Sequence, residues 1–293
     1  MTQQDKTHCQ FLSFPGLSGS IAALGFGNPQ GQKILALHGW LDNAASFGPL
    51  SDYLKDHYIV ALDFPGHGFS ERRPDGGIYH LTDYVCDIAQ VIESLNWQKF
   101  VLMGHSLGAG VAILYAAVFH ELVEKLVLID GIGPISARAD TACERMRKSI
   151  EAHMIHSKNP DRAPKIYPDW DKLVSARMLA SPLSAGSAAL LLERGTSETA
   201  GGVVVNADPR LKHPSAIYLA EEVVLHFIDQ VSCPSLLILA EQGMVINREM
   251  TAGRINAFEK LRVEYLSGQH HLHMDTPELV ADVINPFLQA TED

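Results

Sequence analysis

Gly104-His105-Ser106-Leu107-Gly108 follows the apolar run Phe100–Met103 and opens the apolar stretch Leu107–Phe119. A short run of that kind reads as a buried strand, and the longer one as a helix buried on nearly every side. The two glycines let the chain turn sharply from strand to helix without a Cβ clash. That leaves Ser106 in a strained turn, its hydroxyl exposed at the carboxyl edge of a sheet. Ala109 and Gly110 let the first helical turn pack closely. The bland alternative is an ordinary glycine-rich bend; strand, helix and candidate partners together favour a nucleophile turn.

Outward from this turn, β-rich runs alternate with helical patterns, as in a mostly parallel sheet covered on both faces. Gln10–Phe14, Ile21–Phe26, Lys33–Leu37, Tyr58–Leu62, Phe100–Met103, Lys125–Ile129, Ser235–Leu239 and Arg262–Leu266 predict an eight-stranded sheet. Phe47–Leu54, Leu81–Leu95, Leu107–Phe119 and Pro277–Gln289 carry helical spacing. The sixth and seventh strands are about a hundred residues apart, where a crossover needs one helix and short loops. The spacing predicts a helical cap over 134–232, inserted into a core made of 1–133 and 233–293. Arg138–His156, Trp170–Leu179, Ala188–Glu193 and Leu219–Ile228 read as its helices, and Gly202–Asn206 as a short extended piece.

A chain of 293 residues, 46% of them hydrophobic, can bury a sizeable core, which sets aside a disordered reading. Its net charge of −11 argues against a nucleic-acid partner, because that affinity rests on Lys and Arg neutralising phosphates. A small, neutral or apolar substrate fits better. Cys9, Cys86, Cys143 and Cys233 show neither CxxC spacing nor the density of a secreted scaffold, so reduced thiols in a cytoplasm are expected. Met1–Lys6 lacks the basic and then apolar pattern of a secretory leader, and no uncharged apolar run reaches the length of a membrane span.

A serine hydroxyl is a weak nucleophile near neutral pH, so it needs a positioned base and the base an orienting acid. Of the fourteen histidines, His270, His271 and His273 follow the last strand, in a loop that would lie over the sheet edge beside Ser106. Their clustering allows a metal-site reading, which ranks second because no complementary carboxylate or cysteine pair stands at ligand spacing. No metal or cofactor is expected, and His271 and His273 read most simply as structural. Charge developing on the attacked carbonyl oxygen needs backbone donors, one of them the Leu107 amide at the helix start. A turn at His38-Gly39 could aim the Trp40 amide at the same oxygen. Leu62–Ser70 is turn-rich, with Asp63 and His67 bracing neighbouring loops.

These residues resemble the α/β-hydrolase superfamily: HGW at 38–40, DFPGHGFS at 63–70, GHSLG at 104–108 and HHLHMDTP at 270–277. Trp40-Leu41-Asp42-Asn43 and Asp208-Pro209-Arg210-Leu211 resemble its serine hydrolase-like branch, whose members are mostly assigned as esterases. The resemblance implies an α/β-hydrolase fold with the cap after the sixth strand, Ser106 as nucleophile, and the Trp40 and Leu107 amides as oxyanion hole. Alignment on the HxxH of 270–273 selects His270 as the base. Haloalkane dehalogenases and epoxide hydrolases share the architecture but use an aspartate nucleophile, which Ser106 disfavours.

Most members place the acid after the seventh strand, where this chain reads Ala240-Glu241-Gln242-Gly243-Met244-Val245-Ile246-Asn247, without aspartate. Asp130, which ends the sixth strand before Gly131, is the expected acid; a dehalogenase subgroup places its acid similarly. Glu241 is the competing reading. The expected activity is hydrolysis of a small carboxylic ester through an acyl-enzyme. A thioesterase, a carbon–carbon bond hydrolase and a non-catalytic small-molecule binder are the alternatives. Residues above the sheet edge would roof the substrate pocket, with Trp40, Met146, Ile150, Met178 and Leu179 as candidate lining groups.

Overall fold

The computed structural model describes residues 9–159, 164–245 and 249–290; Met1–Lys6 and Ile246–Asn247 lie outside them. In chain order the first elements are β1 (Cys9–Gly16), β2 (Gly19–Gly27), β3 (Lys33–Leu37), α1 (Gly48–Ser51), β4 (Tyr58–Leu62), α2 (Leu81–Leu95), β5 (Phe100–His105), α3 (Leu107–Val118) and β6 (Val123–Ile129). The long link then holds α4 (Ala142–Lys158), β7 (Ile166–Tyr167), α5 (Trp170–Ala180), α6 (Ala185–Gly195), β8 (Thr196–Thr199), β9 (Gly202–Val205) and α7 (Glu221–Asp229). The chain continues with β10 (Ser235–Gln242), α8 (Thr251–Ala257), β11 (Leu261–Gln269), α9 (Leu272–Asp275) and α10 (Pro277–Gln289).

The main sheet has eight strands in the order β1-β2-β4-β3-β5-β6-β10-β11. The β1–β2 and β2–β4 pairs are antiparallel and the rest parallel. Both faces of its centre are buried, which is why the strands read as unbroken apolar runs. Along β3, Leu35 and Leu37 enter the core beneath α2, α3 and α7, while Ile34 and Ala36 enter the one that Phe47, Leu50 and α10 cover. Among the described residues no helix is long and apolar enough to cross a membrane.

Three features differ from the sequence reading. The link is not purely helical: β7, β9 and β8 form an antiparallel sheet, with Ile166 opposite Val204 and Thr196 opposite Val205. The two residues of β7 are too few to show alternation and β8, Thr-Ser-Glu-Thr, carries no apolar residue, whereas the valine run of β9 made that stretch legible. Secondly, α7 falls inside the expected 134–232 insertion, yet its Val224 and Ile228 pack in one core with α3 residues. Its packing is that of the layer covering the sheet rather than of a cap. Thirdly, the helix predicted over Phe47–Leu54 is a 3₁₀ turn at Ala44–Phe47 and the single turn α1, since Gly48 and Pro49 are poor helix-interior residues.

Polar tethers tie the link to the core. Arg194 of α6 places Nη2 2.7 Å from Oδ2 of fully buried Asp63, and the Tyr79 hydroxyl donates to Asp208 at 2.8 Å. Arg210 donates to the carbonyls of Arg73, Pro74 and Gly77.

Candidate active site

Ser106 stands between the end of β5 and the start of α3 with φ +52°, a left-handed conformation that strains a residue with a side chain. The turn is possible because its neighbours are glycines. A Cβ on Gly104 would lie 2.5 Å from the Gly108 carbonyl, and one on Gly108 would lie 2.1 Å from the Leu37 oxygen.

His270 opens the turn directly after β11, and its ring joins two residues distant in sequence. Nε2 lies 2.9 Å from Ser106 Oγ, and Nδ1 lies 2.5 Å from Asp130 Oδ2. These positions suit a serine hydroxyl donating to Nε2 and an Nδ1–H donating to the carboxylate. Asp130 is fully buried directly after β6, with φ +41° and its amide donating to the Ile238 carbonyl. Its carboxylate also accepts from the amides of Ala240 and Met244, at 3.3 and 3.1 Å, so it braces the loop after β10 as well. That loop must come close: a Cβ on Gly243 would meet Asp130 Oδ1 at 2.4 Å. Glu241 is exposed at the end of β10.

Leu107 contributes the first amide of α3, a donor the helix itself leaves unused. The Trp40 stretch is held against it, because the Gly108 amide donates to the His38 carbonyl at 3.1 Å. His38 Nε2 accepts from the Phe64 amide, and His67 Nε2 from the amide of Leu41, whose φ is +62°. Burial holds His38 down to about 4 and His67 to about 3, so both rings are neutral acceptors at pH 7. Asp63 accepts from the amides of Ala44 and Phe69, the bracing role its motif predicts.

The five candidate lining side chains are all exposed, from 39% for Met178 to 89% for Leu179. Trp40 also donates its indole N–H to the Leu211 carbonyl across the link.

Sequence reasoning missed a second buried cluster beside His270. Asp42 Oδ2 lies 3.2 Å from His271 Nε2 and 3.6 Å from His105 Nδ1, while Arg177 of α5 sits 2.6 Å from Oδ1. Burial opposes ionisation of Asp42, but the neighbouring imidazoles of His105 and His271 and the charge of Arg177 outweigh it and hold the carboxyl well below its usual range. Asp42, His105 and His271 bring their ligand-capable atoms within 4.8 Å of one another, so the carboxylate absent at ligand spacing in the sequence is supplied by the fold. Arg177 already provides the cation at that carboxylate. His273 corrects the expectation of a satisfied structural histidine: it is fully buried, and neither ring nitrogen has a hydrogen-bond partner. An acid three residues after His38-Gly39 and a histidine inside the serine turn were the available signals.

Residues 34–283 match the alpha/beta hydrolase family, and the chain belongs to that family, whose class of chemistry is hydrolysis. A serine hydrolase-like protein of Danio rerio is 35% identical over 280 residues, covering 92% of this chain and 86% of the relative. Serine hydrolase-like protein 2 of Homo sapiens is 33% identical over 291 residues, covering 93% and 92%. A crystal structure of a hypothetical protein from Pseudomonas aeruginosa PAO1 superposes with a TM-score of 0.90 at 37% identity, covering 97% of this chain and 100% of that one. Within the family the chain stands in the serine hydrolase-like branch, as its motifs implied.

Proposed function

We propose that this protein is a cytoplasmic serine hydrolase that cleaves small carboxylic esters. The observation that carries the reading is the aligned pair of contacts at His270, 2.9 Å to Ser106 and 2.5 Å to Asp130. Ser106 Oγ attacks the acyl carbon while His270 Nε2 takes its proton. The carbonyl oxygen, now anionic, receives the amides of Trp40 and Leu107. His270 returns the proton to the leaving alkoxide, which departs as the alcohol and leaves an acyl-enzyme. A water then gives its proton to His270 and attacks the acyl carbon; the acid leaves, and Ser106 regains its proton. Asp130 fixes the tautomer and stabilises the imidazolium in both halves.

The expected result is that a fluorophosphonate adds one label, on Ser106, and that Ser106→Ala abolishes both label and turnover of p-nitrophenyl esters. Labelling elsewhere, or none in folded protein, would falsify the reading. Faster turnover of acyl thioesters than of esters in a chain-length panel would move the substrate class.

The link before α7 acts in this reading as a cap, and its exposed apolar groups offer an acyl-binding wall. Ile150→Trp, Met178→Trp and Leu179→Trp are expected to shift the preferred acyl length while leaving the phosphonate labelling rate within about threefold, since uniform binding changes do not touch the reacting atoms. An unchanged length profile in all three would remove the cap from the specificity model.

A further inference from the structure

We propose that Arg177 and Asp42 form a positioning pair that couples the inserted link to the catalytic loop, a role that rests on reading His270 as the base. Asp42 is buried in the turn after β3, with Arg177 Nη2 2.6 Å from Oδ1 and His271 Nε2 3.2 Å from Oδ2. His105, whose Nδ1 faces the same Oδ2 at 3.6 Å, donates Nε2–H to the His270 carbonyl at 2.8 Å. The backbone of His270 is therefore gripped on both sides by imidazoles that face one carboxylate: His105 on its carbonyl, and His271 as its chain neighbour. Among the described residues, the guanidinium beside that carboxylate is that of Arg177, from α5 of the link. Ser181, just past α5, adds a second approach, with its hydroxyl 3.5 Å from His271 Nδ1.

Removing Arg177 leaves a buried carboxylate without its counter-charge, and the groups free to respond are His271, His105 and the turn that carries Trp40. A shift there displaces His270 from the line to Ser106, and misplacement by about 1 Å can cost about 100-fold in rate. A second tether of the link reaches the end of the same loop, where Asp275 accepts from the Ser184 amide and the Ser187 hydroxyl. The Tyr79–Asp208 hydrogen bond ties the same link to the segment before α2, outside residues 268–276, so Tyr79→Phe separates loss of a tether from loss of positioning.

The test compares Arg177→Met, Arg177→Lys and Tyr79→Phe in the full chain by p-nitrophenyl ester kinetics, fluorophosphonate labelling rate and amide hydrogen exchange over residues 268–276. Arg177→Met is expected to lower kcat and the labelling rate by about 10- to 100-fold with KM within about threefold, and to speed exchange of the 268–276 amides. Arg177→Lys recovers part of each, because it restores the charge without the planar fork. Tyr79→Phe leaves all three unchanged. Unaltered exchange and unaltered kcat in Arg177→Met, with only a lower Tm, would reduce the pair to a structural clamp and overturn the proposal. Should Arg177→Met not fold, the Lys variant decides: a slowed labelling rate and faster loop exchange support positioning, parent values of both overturn it. Hydrogen exchange reads the loop without turnover, so it judges the pair even if the wild-type protein takes no label and the esterase reading fails.

Discussion

In an Asp130→Asn enzyme kcat falls by about 10⁴-fold, whereas Glu241→Gln turns over at close to the parent rate. The carboxylate at position 130 accepts Nδ1–H from His270, which leaves the Nε2 lone pair free for the serine proton. An asparagine presents either a weaker carbonyl acceptor or an N–H donor to Nδ1. In the donor orientation the imidazole proton moves to Nε2, and Ser106 loses its base. Stabilisation of the imidazolium is lost in either orientation. Asp130 also accepts from the amides of Ala240 and Met244, so the substitution sets one amide group against several donors. A lowered Tm is therefore expected as well, since an unsatisfied buried donor costs about 1–3 kcal/mol. Kinetics on the folded fraction separate the two effects. A near-normal Asp130→Asn enzyme beside a crippled Glu241→Gln enzyme transfers the role to Glu241.

The parts of this site that were legible from sequence are those fixed by local sterics. Gly104 announces the serine turn because a Cβ there collides with the Gly108 backbone four residues on, and Gly108 because one there meets the Leu37 carbonyl at the end of the neighbouring strand. Asp130 was legible because a buried-strand run ends on it at the edge that carries Ser106. What stayed hidden depends on distant meetings. Asp42 lies 135 positions from Arg177 and 229 from His271, and no periodicity records such a contact. The Arg194–Asp63 pair, 131 positions apart, is hidden in the same way. Short elements were lost for another reason: β7 has two residues, too few to display a period of two.

The buried imidazoles around the site also set an acid limit, and the expected result is a steep fall of Tm between about pH 6.5 and 4. Burial lowers His38 and His105 to about 4, lowers His67 to about 3, and holds His273 well below its ordinary range, with neighbouring imidazoles adding to the shift of His273. A depressed folded value means the unfolded chain binds protons first. The stability these groups contribute is fully present above their unfolded pKa near 6.5, shrinks as pH falls, and is gone below their folded values. For His38 and His105, titration at about 4 in the fold against 6.5 in the unfolded chain corresponds to roughly 3 kcal/mol each. Several such terms together rival the roughly 5–15 kcal/mol that holds a typical domain folded. His57, His153 and His213 shift the same way, and being less buried they add less. Asp42 cannot offset the loss, because its lowered carboxyl contributes stability that itself disappears at still lower pH. The measurement is Tm from pH 8 to 4.5 for the parent and for His273→Leu, which removes one titrating ring that makes no hydrogen bond. The variant is expected to lose less Tm on acidification, with about one proton fewer taken up on unfolding. A parent Tm that stays flat from pH 8 to 5, or a variant that tracks the parent at every pH, means that these imidazoles are not held neutral by the fold.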